Sequence, residues 1–116
     1  MKQITIAFLM VFLSNTVSIA QKKITTWHKN QVIAHRGAWK MQNLPENSIA
    51  SLKHAFKLNC YGSEFDVHLT ADSIVVVNHD ATFLGINISK STYQQLLAKK
   101  LPNGESIPTL EEFLKT

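Results

Sequence analysis

One cysteine, Cys60, is all the thiol chemistry that 116 residues offer. A lone cysteine cannot close an intramolecular disulfide, so the chain is expected to rely on its core. Cys60 follows an apolar, helix-like stretch and reads as a small buried hydrophobe. Arginine is scarcer still than lysine: Arg36 is the sole arginine, while eleven lysines are scattered along the chain. With no arginine-rich run and no basic–aromatic interleaving, a nucleic-acid groove is not indicated. The formal charge of +4 supports a modest preference for anionic substrates or surfaces and nothing stronger. No internal repeat or low-complexity tract is present.

Long apolar runs are also missing. Ile4 to Leu13 is too short to cross a bilayer comfortably. Lys2 before it and Ser18-Ile19-Ala20 after it make residues 1–20 read as a secretory signal cut before Gln21. No stable membrane span is expected after cleavage, and export places the product in a periplasmic or extracellular setting. Residues 21–30 read as a polar linker, and residues 31–116 as the folded portion.

Within that portion, short apolar runs end in ionisable residues. Gln31 to Ala34 reads as a strand ending at His35, with Gly37 as a break where backbone can approach a ligand. Asn43-Leu44-Pro45-Glu46 reads as a helix start, with Asn43 as cap and Glu46 in the capping-box position. Ile49, Leu52, Ala55 and Phe56 recur at helical spacing and predict one inward face. Ser63 to Leu69 alternates, which predicts one strand with Phe65, Val67 and Leu69 on one face and Glu64, Asp66 and His68 on the other. After a turn at residues 70–73, Ile74 to Val77 predicts a strand covered on both sides, running into Asn78-His79-Asp80. Residues 81–90 read as a loop or small excursion and Ser91 to Lys100 as a short helix. Thr109-Leu110-Glu111-Glu112 is a capping box opening a further helix, entered only a turn before Thr116. Strand, helix, strand, turn, strand is compatible with the opening of a (β/α) barrel.

Glu64 and Asp66, two apart on a strand, would project from one face roughly 6 to 7 Å apart. Hard oxygens at that spacing suit Mg²⁺ or Ca²⁺, and like charges side by side favour a cation between them. His35 and His79 can divide acid and base roles near neutral pH. Arg36 offers a planar fork for phosphate oxygens. Together these groups are what phosphodiester cleavage needs: charge neutralisation on phosphoryl oxygens and a proton for the departing alkoxide. Glu46 is read either as a capping residue or as a tether for Arg36. Trp39 either shapes a pocket mouth or packs; His68 reads as structural, and His28 and His54 as exposed. Asn87-Ile88-Ser89 matches a glycosylation acceptor only in form.

The ordered set His35-Arg36-Gly37, Pro45-Glu46-Asn47-Ser48, Glu64-Phe65-Asp66-Val67, Asn78-His79-Asp80 and Ile107-Pro108-Thr109-Leu110-Glu111-Glu112 resembles the glycerophosphodiester phosphodiesterase family. The resemblance implies a TIM (β/α)8-type barrel, here only its first strands and helices, as a truncated chain. It implies hydrolysis of small glycerophosphodiesters to an alcohol and glycerol 3-phosphate. His35 and His79 would be the general acid–base pair, Arg36 a phosphate ligand, and Glu64 and Asp66 two ligands of a divalent cation, Ca²⁺ or Mg²⁺. A further metal carboxylate is implied on a later strand, beyond Thr116. The arginine often found after the His-Asp pair is absent from Ala81-Thr82-Phe83-Leu84-Gly85. Two other readings stay open: a barrel relative acting on lysophospholipid or inositol-containing diesters, and a non-catalytic fragment that binds metal or phosphate.

Overall fold

The computed structural model describes residues 31–116. The signal and linker expected over residues 1–30, with His28, therefore lie outside the described residues. Strand β1 (Ile33–His35) leads through a 3-10 turn at Lys40–Gln42 into helix α1 (Ile49–Lys57), and the chain returns as β2 (Gly62–Glu64). The two strands pair in parallel, with Ala34 opposite Ser63 and His35 opposite Glu64. This β-α-β unit is the building block of a barrel wall.

The start of α1 differs from the expected one. Ser48, not Asn43, is the N-cap: Ser48 Oγ accepts the Ser51 N–H at 3.0 Å and Ser51 Oγ accepts the Ser48 N–H at 3.2 Å. Asn43 instead closes the 3-10 turn in a left-handed conformation. Asn47, also left-handed at φ 54°, keeps the preceding residues out of the helix. Glu46 is thereby released from capping. Leu52 and Ala55 are buried as the spacing predicts, but Phe56 is 56% exposed. The helix stops where Asn59 turns left-handed and its N–H returns to the Phe56 carbonyl.

The expected single strand over residues 63–69 is two. After β2 the chain kinks and resumes as β3 (Val67–Leu69), which pairs antiparallel with β4 (Val75–Val77). The break has a local cause. The Asp66 N–H goes to the Asn47 side chain, while its carbonyl accepts the Asn78 N–H in register with the β3–β4 pairing, so the chain leaves one ladder and enters the other here. The alternation consequently fails: Val67 and Leu69 are 47% and 54% exposed, whereas Phe65 packs on Phe113 with ring centroids 4.9 Å apart.

β4 is the central wall. Val76 and Val77 are fully buried, and alternation sends them to opposite sides. Val76 joins Phe83, Ile88, Leu96 and Ile107; Val77 joins Leu52 and Phe113. The two-sided covering expected of Ile74 to Val77 thus holds for its second half, while Ile74 is exposed. Burying a Phe, Ile or Leu of this kind contributes about 1.5–3 kcal/mol.

Residues 81–90 form a small hairpin, β5 (Thr82–Phe83) and β6 (Ile86–Asn87), followed by a 3-10 turn at Ile88–Lys90. Helix α2 is shorter than expected, at Tyr93–Leu96, and α3 (Leu110–Leu114) opens on the expected Thr109–Glu112 capping box. The β4 edge is covered by the segment before α3, through the Val77 N–H to Pro108 O bond at 2.9 Å. Among the described residues no helix is long and apolar enough to cross a membrane.

Candidate active site

The parallel register sets the site by placing His35 and Glu64 side by side at the strand ends, with His35 Nε2 3.8 Å from Glu64 Oε2. Beyond β1 the backbone turns sharply. Arg36 takes φ 57° and Gly37 φ 82°. Gly37 is required on two counts: its φ is costly for other residues, and a Cβ there would sit 2.3 Å from Ser51 Oγ. The turn is fastened on both sides. The Arg36 carbonyl accepts the Asn47 N–H at 2.9 Å and the Ser51 hydroxyl at 3.2 Å, and the Arg36 N–H donates to Glu64 Oε2 at 3.1 Å.

The Arg36 guanidinium then gathers the remaining acids. Nη1 donates to both Glu46 oxygens, at 3.2 and 3.0 Å, which settles Glu46 as a tether and not a cap. Nε pairs with Asp66 Oδ2 across 3.6 Å, beyond hydrogen-bond range, and is buried without a hydrogen bond. Asp66 is held instead by Asn47, whose Nδ2 donates to Asp66 Oδ2 at 3.1 Å.

His79 enters from β4. The Asn78 N–H to Asp66 O bond, 3.0 Å, brings the strand end beside Asp66. The His79 ring meets its neighbour, with Nδ1 2.7 Å from Asp80 Oδ1, and the His79 carbonyl accepts from His68 Nε2 at 3.0 Å. The structure therefore joins Arg36, Glu46, Glu64 and, through Asn47, Asp66 in one hydrogen-bonded cluster, sets His35 beside it at 3.8 Å from Glu64, and attaches His79 to it through backbone rather than through its ring. His68 has the structural role expected of it. His54 is half-buried, not exposed, and its Nδ1 donates to the Ala38 carbonyl at 2.6 Å. Beside His35 lies a cleft of about 290 Å³ lined by Val32, Trp39, Met41 and Cys60, so Trp39 does flank an opening and Cys60 is only half-buried.

Glu46 and Asp66 lie against the guanidinium and Glu64 against the Arg36 backbone N–H, so three carboxylates surround one arginine. Glu64 and Asp66 are hard oxygen donors, and such an acid-rich strand end fits a divalent cation whose shell is completed by water and substrate oxygens. The described residues supply a partial set: no group of three or more His, Cys, Asp or Glu closes on one point.

Asn47 and Asp80 were not singled out from sequence. For Asn47 the usable signal was position: an asparagine directly before a helix cap tolerates the left-handed backbone. Nothing local to the sequence points to its bond with Asp66, nineteen residues away.

Comparison with known proteins gives this cluster a lineage. Residues 35–116 match the model of the glycerophosphoryl diester phosphodiesterase family. A glycerophosphodiester phosphodiesterase of Caldanaerobacter subterraneus is 54% identical over 54 residues, covering 47% of this chain and 21% of that protein. The crystal structure of a glycerophosphodiester phosphodiesterase from Parabacteroides distasonis is 50% identical with a TM-score of 0.70, over 78% of this chain and 38% of that one. An Oleispira antarctica phosphodiesterase, solved in complex with the product sn-glycerol-3-phosphate, is 33% identical with a TM-score of 0.66, over 73% of this chain and 38% of that one. The chain belongs to the glycerophosphoryl diester phosphodiesterase family. The family fold is a TIM barrel, and the described residues are a partial α/β piece of it. The chain spans about a fifth to two-fifths of the length of these relatives.

Proposed function

We propose that this chain carries the phosphate- and cation-binding end of a glycerophosphodiester phosphodiesterase, which cleaves a glycerophosphodiester to an alcohol and glycerol 3-phosphate. The observation that carries the reading is the Arg36 cluster: Glu46 and Asp66 at its guanidinium and Glu64 at its backbone N–H, beside His35. The product bound to the Oleispira relative supports the same substrate class.

In this reading Arg36, braced by Glu46, turns its unengaged N–H groups to the phosphoryl oxygens and offsets their charge. Glu64 and Asp66 would hold a divalent cation, Ca²⁺ or Mg²⁺, which adds further charge neutralisation at the phosphate when bound. His35 and His79 divide the proton work. One imidazole takes the proton of the attacking oxygen, and the other delivers a proton to the departing alcohol oxygen as the P–O bond breaks. The Asp80 carboxylate at Nδ1 holds the His79 ring so that Nε2 is the nitrogen left for transfer. Residues 1–20 belong to the same reading as an export signal, placing the reaction outside the cytoplasm.

The test is release of glycerol 3-phosphate from glycerophosphocholine by the full-length protein, with and without a chelator. Cation-dependent release is expected. Undiminished turnover under chelation would remove Glu64 and Asp66 as metal ligands, and absence of turnover at any cation concentration would overturn the reading as a whole.

A further inference from the structure

Asn47 is 3% exposed, and a primary amide is buried so completely only where its polar atoms are used. Its Nδ2 donates to Asp66 Oδ2 at 3.1 Å and its Oδ1 accepts the Asp66 N–H at 3.3 Å. Its own N–H donates to the Arg36 carbonyl at 2.9 Å. One residue thus grips both the strand that carries an acid and the turn that carries the guanidinium. Both grips depend on a left-handed backbone, at 54° for Asn47 and 57° for Arg36.

The competing arrangement is visible in the same place. Arg36 Nε is buried and lacks a hydrogen bond, while Asp66 Oδ2 stands 3.6 Å away. A buried N–H without a hydrogen bond is costly. Asp66 could relieve that cost by tightening the existing ion pair into a hydrogen bond, which would lower the negative charge it offers a third group. The Asn47 amide donates to the same oxygen at 3.1 Å and holds the ion pair at this looser separation. Among the described residues the contacts to this carboxylate fall on Oδ2, which leaves Oδ1 as the oxygen presented outward.

We infer that Asn47 is a positioning residue that keeps the Asp66–Arg36 ion pair from tightening into a hydrogen bond, so that Asp66 Oδ1 is presented to a divalent cation while the guanidinium stays open to phosphate. The inference rests on the reading of Asp66 as a cation ligand.

The experiment uses the 116-residue chain and two variants. Asn47→Gly suits the left-handed backbone and removes only the amide. Asn47→Asp keeps the shape and the acceptor for the Asp66 N–H but sets a second carboxylate against Asp66 in place of the donor. Because Arg36 is the sole arginine, its Nε–H gives one unambiguous signal in nitrogen-edited NMR. In both variants that signal is expected to move downfield and to exchange more slowly as Asp66 closes on it. Calorimetric titration with Mg²⁺ and Ca²⁺ is expected to show an affinity for Asn47→Gly at least about tenfold weaker than wild type, as for one lost charge-assisted bond. An unmoved Nε–H in a folded variant, or wild-type cation affinity in Asn47→Gly, overturns the inference. If Asn47→Gly does not fold, the Nε–H of Asn47→Asp decides it. A wild-type chain that binds neither cation overturns the ligand reading itself. The Nε–H shift then decides separately whether Asn47 keeps the Asp66–Arg36 ion pair from tightening.

Discussion

The backbone N–H of Arg36 donates to the Glu64 carboxylate across the junction of β1 and β2, at 3.1 Å. A main-chain donor cannot swing away as a side chain can, so Glu64 is aimed by the turn itself. Replacing Arg36 by Lys should leave this bond in place and remove the fork. The expected result is a weaker hold on the substrate phosphate, with KM raised about 10- to 100-fold, since a hydrogen bond to a charged group is worth about 1.5–3 kcal/mol. Steady-state kinetics on glycerophosphocholine measures it. An unchanged KM would take Arg36 out of phosphate binding.

His79→Ala should act differently. Loss of a proton-transfer group slows chemistry about 10²- to 10⁴-fold while substrate binding changes little. Single-turnover rates separate the two, and an unaltered turnover number would remove His79 from the mechanism.

Gly37→Ala should cost stability. The new methyl would meet Ser51 Oγ at 2.3 Å on a backbone with φ 82°, and Ser51 is fully buried and bonded within the α1 cap. Overpacking of this sort costs about 1–3 kcal/mol, and the left-handed backbone adds to it. Urea denaturation of the chain would register a lower midpoint; an unchanged one would mean the turn can open without loss.

Asp72 links the β3–β4 turn to the start of α2. Its Oδ1 accepts the Thr70 hydroxyl at 2.6 Å and the Tyr93 N–H at 3.0 Å. The Thr70 bond, aided by Tyr93, holds the carboxyl below its ordinary value of 3.8. The folded value is the depressed one, so the contribution to stability is complete above the unfolded value and is lost as pH falls through the folded one. Stability of wild type should therefore decline through the acid range below about pH 4 more steeply than that of Asp72→Asn. Thermal melts between neutral and acid pH test this, and identical slopes would exclude Asp72 as a contributor.

The proposed export signal predicts a mature protein beginning at Gln21. N-terminal sequencing of the secreted form would check it, and an intact Met1 on protein recovered from outside the cytoplasm would count against cleavage.

Legibility of the fold followed the range of the interaction. The Thr109–Glu112 capping box lies within four residues and was readable, as were the buried faces of Leu52 and Ala55. The start of α1 was misread because two capping residues competed, and left-handed Asn47 decided in favour of Ser48. The alternation from Ser63 to Leu69 misled because Asp66 spends its backbone bonds on Asn47 and Asn78, partners far away in sequence. Strand ends drew attention to Glu64, Asp66 and the two histidines, because ionisable residues after apolar runs are conspicuous; the structure sets His35 beside Glu64 and links the His79 strand end to Asp66 through backbone. What they bond to was hidden, Asn47 above all.

Phe65 immediately precedes Asp66, and its ring rests on Phe113 of the last helix. The acid is consequently propped from beneath by an element that never reaches the site. Shaving off α3 would leave each polar residue of the cluster in the chain, yet take away the floor under one carboxylate. Sensitivity of cation binding to damage at Phe113 is the signature to expect of such remote support.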